Sequence, residues 1–249
     1  MPWIQPTTKE HCSQPHKIFA DDAIGFVELI ETFGNDLTVV NAARVSFNKE
    51  SEFQYTADQT TGITSEQLSV RDQKLVEYLA EHKHIAPFFH PQLRFRIKMP
   101  IFVVREWYRH TVGFARNEVS RRYVTDAPDF FIPSQFRKRD ANIKQGSSKE
   151  VITDNEHEVA TMKAYTEQAL EYYNQLLDRG VCPEQARMIL PQSMYTEFIE
   201  TASLAGYARL VQLRAEATAQ REIQIYAGHI SSIVQTVFPV SWKALLKNN

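Results

Sequence analysis

L-R-F-R-I-K-M, residues 93–99, alternates apolar and cationic side chains without a break. In an extended strand successive side chains point to opposite faces, so Leu93, Phe95, Ile97 and Met99 share one face and Arg94, Arg96 and Lys98 the other. Pro100 then suits the first turn of a helix reading I-F-V-V-R-E-W-Y-R-H. That helix leads into R-H-T-V-G-F-A-R-N-E-V-S-R-R-Y, residues 109–123, in which Glu118 is the sole carboxylate. Residues 94–122 carry eight cations (Arg94, Arg96, Lys98, Arg105, Arg109, Arg116, Arg121, Arg122) against Glu106 and Glu118, a formal +6 in a chain of net −2. The positive charge is concentrated rather than spread, which favours a compact anionic ligand over a long polyanion.

Working outward, residues 24–33 mix apolar and acidic positions at strand spacing, and Gly34-Asn35-Asp36 supplies turn chemistry. L-T-V-V-N-A-A-R-V-S-F, which follows, reads as a short helix or a strand. Residues 48–66 show no apolar period and read as a surface excursion. From Val70 the pattern is helical, with Val70, Leu75, Val76 and Leu79 on one side, and it breaks at Pro87. After a second polar excursion at 134–150, helical pattern covers 156–179, 183–190 and 197–228, the last with a break expected because it includes Gly206. No internal repeat appears, and no linker is poor enough in apolar residues to force a domain boundary.

With 43% hydrophobic and 23% charged residues the chain falls among ordinary globular proteins, and no segment approaches the ~20 apolar residues of a bilayer span. The opening M-P-W-I-Q-P-T-T-K-E lacks the features of a signal peptide, so the expected compartment is the cytoplasm. Cys12 and Cys182 lie far apart and outside any C-x-x-C spacing, in keeping with that compartment. The common dinucleotide, triphosphate, serine-hydrolase and zinc-protease motifs are absent. His82, His84, His90 and His110 have no short-range Cys or Asp partners, which argues against a metal. Ser120 has no nearby base except Glu118, so it reads as a hydroxyl donating to an anion rather than a nucleophile. Cys182, before Pro183 at an expected helix start, is the one thiol whose pKa could fall there.

Arg109-His110-Thr111, eight residues, then Ser120-Arg121-Arg122-Tyr123 resembles the signature of the flavin-dependent thymidylate synthases, R-H-R, seven residues, then Ser-x-Arg-Tyr. The resemblance extends through G-F-V-E-L at Gly25, G-N-D-L at Gly34, A-A-R-V-S-F at Ala42, the segment around Pro87, P-I-F-V at Pro100, A-R-x-x-L-P at Ala186 and L-R-A-x-x-x-A-Q-x-E-I at Leu213. It implies methylation of dUMP at C5 without a protein nucleophile, using methylenetetrahydrofolate, FAD and NADPH. It also implies a homotetramer with sites between subunits, small-molecule substrates, and no nucleic-acid or membrane partner. The expected architecture is a single α+β domain over residues 1–249, a mainly antiparallel or mixed sheet packed against long helices.

Carried over residue by residue, Arg214 is the expected catalytic group, a planar cation at the uracil ring. Arg122, Arg187 and Ser120, with backbone amides around Val119 and Arg121, match the phosphate-holding positions. Glu106 stands near the nucleotide, and Glu118 between nucleotide and flavin. Arg109, which also serves the nucleotide, matches a flavin contact together with His110, Thr111, Ser203 and Arg209, while His84 matches a position beside flavin and folate. Thr111 replaces the second arginine of the signature, with Arg116 expected to restore its charge, and Ala86, Ser203, Ala205 and Arg209 depart from the usual flavin-side residues. Glu106 replaces a glutamine, and Arg121, where glycine is usual, is expected to pair with it. Two further readings stand beside this one. The first is a divergent relative acting on another pyrimidine nucleotide or adding another one-carbon group. The second is a nucleic-acid-binding module, whose stacking aromatics would have to include Phe95, Phe102 and Trp107 although these fall on apolar faces.

Overall fold

The structure, a computed structural model, describes residues 17–57, 64–139 and 147–247. Cys12, the N-terminal decapeptide and parts of both polar excursions lie outside the described residues. The central strand is β5 (Gln92–Pro100), which contains the alternating stretch. It lies in a five-stranded sheet with β1 (Lys17–Phe19), β2 (Phe26–Phe33), β6 (Phe114–Glu118) and β7 (Tyr195–Ser203), in the order β1-β2-β5-β7-β6. Every pairing in it is antiparallel. Leu93, Phe95, Ile97 and Met99 are fully buried, each stabilising the fold by roughly 2 kcal/mol through apolar area removed from water. The polar face of β5 pairs its cations with carboxylates of the neighbouring strands: Arg94 with Glu31 at 2.5 Å, and Arg96 with Glu197.

The strand β7 corrects the expectation of a helix over 197–228. E-F-I-E-T-A-S, residues 197–203, falls in that stretch, but Thr196, Phe198, Glu200 and Ala202 all turn to the covered face, a period of two. The neighbours β5 and β6 supply backbone partners on both sides, which local propensity cannot foresee. The helix α6 (Leu204–Arg214) starts only after this strand, with Ser203 as its cap accepting from Gly206 N–H at 3.1 Å. The helix continues through Gly206 and ends at Arg214, and α7 (Arg221–Val237) follows.

Residues 36–44 form α1 (Asp36–Arg44), so of the two readings the helix is the one observed. Its start is set by Asn35, whose carboxamide oxygen accepts from Thr38 N–H while the Thr38 hydroxyl oxygen accepts from Asn35 N–H. Within the stretch 48–66, β3 (Gln54–Ala57) pairs with β4 (Thr64–Gln67) as a separate two-stranded ribbon, where sequence pattern showed only a surface excursion. Its strands, Q-Y-T-A and T-S-E-Q, are mostly polar and share no apolar face. α2 (Val70–Glu81) stops well before Pro87. Lys83 adopts a left-handed φ of 57°, and Lys83 N–H and His84 N–H close the last turn on Ala80 and Leu79 carbonyls. α3 (Ile101–Trp107) follows β5 directly, with Pro100 ending the strand and capping the helix.

The remaining helices are α4 (Asn155–Asp178), the four-residue α5 (Pro183–Ala186) and α8 (Pro239–Lys247). One apolar core joins the covered face of the sheet to α1, α2, α3, α6, α7 and α8, with Trp107, Tyr207, Ile230 and Trp242 among its buried members. α4 lies outside that core, against α5 and the turn Arg187–Ile189. A single buried carboxylate ties the two ends of the chain together. Asp36, at the first turn of α1, accepts from Val240 N–H at 3.0 Å and Ser241 N–H at 2.9 Å, capping α8 across the chain. Asp36→Ala leaves those two N–H groups buried without partners and is expected to cost about 2 kcal/mol in urea denaturation, with the far-UV helix signal of the native state retained.

Candidate functional site

At the open end of the sheet, β6 runs out at Glu118 and the chain turns at residues 119–124. Glu118 is held from two sides: Thr196 of β7 donates to Oε1 at 2.7 Å and the Tyr108 hydroxyl to Oε2 at 3.2 Å. Burial, with the Glu118 carboxylate beside it, pushes the Tyr108 phenol up, so it stays a donor at neutral pH. Glu118 and Val119 face a cavity of about 540 Å³ that is also lined by Arg121, Arg187, Lys98 and Tyr195. Lys98 is paired there with Asp129 at 2.6 Å, and Arg121 donates to the Asp126 carbonyl. The Arg187 side chain has no ion pair among the described residues and stands exposed on the rim. Ser120 accepts from Arg122 Nε at 3.3 Å, and the Arg122 guanidinium lies 5.0 Å from the centroid of the Tyr123 ring.

A second cluster forms where α3 and α6 end. Arg214, the last residue of α6, donates from Nε to His110 Nε2 at 2.9 Å, from Nη1 to the Glu106 carboxylate, and from Nη2 to the Glu106 carbonyl at 3.5 Å. The expected pair of Glu106 with Arg121 is therefore not formed; Glu106 belongs to Arg214. The reason is direction: Glu106 sits one position before the end of α3 and meets the end of α6, whereas Arg121 follows β6 and turns back on its own loop. Burial, then the positive charges of Arg214, Arg116 and Arg209, push His110 down to about 4, so its ring is a neutral acceptor at neutral pH.

Behind both clusters lies a buried ion pair that sequence reasoning missed. Glu200 of β7 is fully buried, pairs with Arg116, and accepts from the Trp107 indole N–H at 3.2 Å to each oxygen. Burial pushes the Glu200 carboxyl up, against the opposing pull of Arg116 and the Trp107 hydrogen bond. The Arg116 guanidinium lies 5.0 Å from the Tyr108 ring centroid and 4.7 Å from that of Phe114. Arg116 thus does not restore a free charge lost at Thr111; Glu200 neutralises it. No local signal marks Glu200, because Thr196, Phe198, Glu200 and Ala202 share a face without forming a clean apolar period. Tyr108 and Thr196 carry no such signal either, because nothing in their own neighbourhood marks them as partners of Glu118.

The remaining expected residues are dispersed. His84 and Ala86 line a larger cavity of about 1060 Å³ beside α1 and α2, with Phe47, Tyr78 and Leu79 among its walls and Arg44, Lys49, Arg71 and Lys83 as cations. Ser203 is buried as the α6 cap, and its hydroxyl oxygen accepts from Gly206 N–H. Arg109, Thr111 and Arg209 are exposed. Within one chain, then, Glu118, Arg121 and Arg187 share one cavity, Arg214, Glu106 and His110 form another group, and His84 lines a third surface. Cys182 is an exposed free thiol ahead of α5. Among the described residues no group of three His, Cys, Asp or Glu side chains is arranged to hold a metal ion.

A family model described as thymidylate synthase complementing protein matches residues 28–240, and the chain belongs to that family. It is 36% identical to the flavin-dependent thymidylate synthase of Thermosipho africanus, over 90% of this chain and 91% of that protein. The protein of the same name from Kosmotoga olearia is 37% identical, over 89% of this chain and 90% of its own. Among solved structures, the UMP/dUMP methylase PolB of Streptomyces cacaoi bound with 5-Br dUMP superposes with a TM-score of 0.73 at 29% identity, covering 89% of this chain and 94% of PolB. The PolB structure bound with 5-Br UMP gives a TM-score of 0.74 at 28% identity.

Two outcomes follow from the buried groups. Glu200→Gln leaves the Arg116 guanidinium buried without a counter-charge and is expected to lower stability by about 3 kcal/mol, with Arg116→Met in the same chain recovering much of it. For His110 the folded pKa of about 4 lies below the ~6.5 of a free imidazole, so the unfolded chain binds more protons between those values and stability falls as pH drops from ~6.5 towards 4. His110→Gln should flatten that part of the pH–stability curve, measured by urea midpoints at pH 7.5 and 5.

Proposed function

We propose that this protein is a flavin-dependent thymidylate synthase that methylates dUMP to dTMP, with methylenetetrahydrofolate as one-carbon donor and NADPH as reductant. The observation that carries the reading is the match along about nine-tenths of the chain to relatives of that name. The reading takes residues 1–249 as a single domain, acting as a homotetramer in the cytoplasm and binding no nucleic acid. Among the described residues no helix is long and apolar enough to cross a membrane. Pairing of Arg94, Arg96, Lys98 and Arg116 with carboxylates also weighs against a polyanion-binding surface.

In this reading Arg187, Arg122 and the Ser120 hydroxyl hold the nucleotide phosphate, Arg121 and the Val119 amide completing that side. Arg187 is suited to this because no carboxylate of the described chain competes for it. Arg214 faces the pyrimidine ring, where a permanent cation stabilises negative charge developing on the carbonyl oxygens. Glu118, fixed by Tyr108 and Thr196, orients nucleotide against flavin, and Arg109 contacts both.

The flavin, when bound, supplies the hydride that turns a one-carbon bridge into a methyl group. The residues present fit such a group in their chemistry. The 1060 Å³ cavity at His84 combines apolar and aromatic walls for a ring system with Lys49, Arg71 and Lys83 as cations for a diphosphate, Arg44 being held by Asp72. His110, Thr111, Ser203 and Arg209 complete the proposed flavin side. His110 there offers a neutral imidazole, and Ser203 acts through the α6 terminus that it caps.

A second reading is favoured by the PolB likeness, since that enzyme is described as acting on UMP as well as dUMP. Turnover with dUMP, UMP and dCMP compared side by side separates the two, the first reading requiring a clear preference for dUMP. Purified protein should carry or take up FAD, with a flavin spectrum that shifts on adding dUMP. Arg214→Lys should lower dTMP formation by about 100-fold or more while the bound flavin is retained. Absence of flavin uptake from excess FAD would sink the assignment.

A further inference from the structure

We propose that Glu106 is a positioning residue that competes with the pyrimidine ring for the guanidinium of Arg214, so that nucleotide enters against an internal ion pair. This rests on the reading above that Arg214 meets the pyrimidine. Arg214 is engaged from every nitrogen in this chain: Nε by His110, Nη1 by the Glu106 carboxylate and Nη2 by the Glu106 carbonyl. The pair is partly covered, with side-chain exposures of 19% for Arg214 and 28% for Glu106, so water screens it less than a surface pair. The two residues close the last turns of α3 and α6, helices anchored through buried Val103, Val104, Trp107, Leu210 and Val211, which fixes their approach.

The competition is unequal in a definite direction. A pyrimidine offers Arg214 neutral carbonyl oxygens, whereas Glu106 offers a carboxylate, and a charge-assisted bond to a guanidinium is about twice as strong as one to a neutral acceptor. His110 does not add to the competition by charge, because it is a neutral acceptor at neutral pH. A neutral amide at position 106 would keep an acceptor of the same reach and lose the advantage. The consequence is selective: the gain belongs to the base-binding step and does not depend on the phosphate, which Arg122 and Arg187 would hold elsewhere.

The test is calorimetric titration of flavin-loaded wild-type protein and Glu106→Gln with dUMP and, separately, with deoxyuridine, which has the ring and no phosphate. Glu106→Gln nearly preserves volume at a partly exposed position, and Glu106→Ala, which removes reach as well as charge, provides a second variant. Tightening of about three-fold or more for both ligands in either variant is the expected result. Tightening for dUMP alone would mean that Glu106 acts by repelling phosphate, and would overturn the proposal, as would unchanged or weaker binding of both. Failure of wild type and variants alike to bind either ligand, with flavin in place, would remove the nucleotide reading itself and this inference with it.

Discussion

The sheet buries one face in the apolar core and keeps the other polar, and β5 makes that constraint visible. Its apolar row is entirely buried in the core that also holds residues of α1, α2, α3, α6, α7 and α8, while its cationic row stays on the other face, with Arg96 half exposed. Antiparallel sheets accommodate this because their two faces can differ, and a one-residue slip in register would exchange them. Such a slip would bury Arg94, Arg96 and Lys98 in a core that holds almost no partners for them, so the register of β2, β5 and β7 is tightly specified. Glu118 and the Arg214–Glu106–His110 cluster hang from these strands: β6 pairs with β7, α3 springs from the end of β5, and α6 springs from the end of β7.

The same register explains how the positive charge is used. Counted along the chain, residues 94–122 look like one cationic patch. In space, the strand cations meet acidic residues of flanking elements, Glu31, Glu197 and Asp129, and Arg116 is taken by Glu200 in the interior. Arg105, Arg109, Arg121 and Arg122 remain without a carboxylate partner among the described residues, and Arg121 shares its cavity with the exposed Arg187. Local charge counting thus pointed to the right region and overstated its field, since it cannot see carboxylates that arrive from elsewhere in the chain.

Two carboxylates near one another behave differently because their surroundings differ. Glu118 is exposed and held by two neutral hydroxyls, Thr196 and Tyr108, which steer it without cancelling its charge. Glu200 is sealed beneath and serves Arg116, whose guanidinium flanks the Tyr108 ring. The buried pair therefore supports, through an aromatic side chain, the orientation of the exposed carboxylate. Asp36 plays a comparable structural part at the far end of the core by capping α8.

By itself the sequence determined the elements whose pattern is complete within a few residues. These were β5 through its unbroken alternation, the break after it at Pro100, the long helix at 155–178, and the ordered motifs that mark the family. It misassigned β7, because a strand with Glu200 inward and Ile199 outward carries no clean apolar period. It passed over the β3–β4 ribbon, which has no apolar face, and it ended α2 at a proline although Lys83 had already closed the helix. Tertiary structure alone decided which charges meet. Arg214 and Glu106 lie 108 residues apart, and Arg116 and Glu200 84 apart. No periodicity or spacing spans such distances; only the antiparallel pairing of β6 with β7 and the approach of α3 to α6 bring those side chains within hydrogen-bonding range.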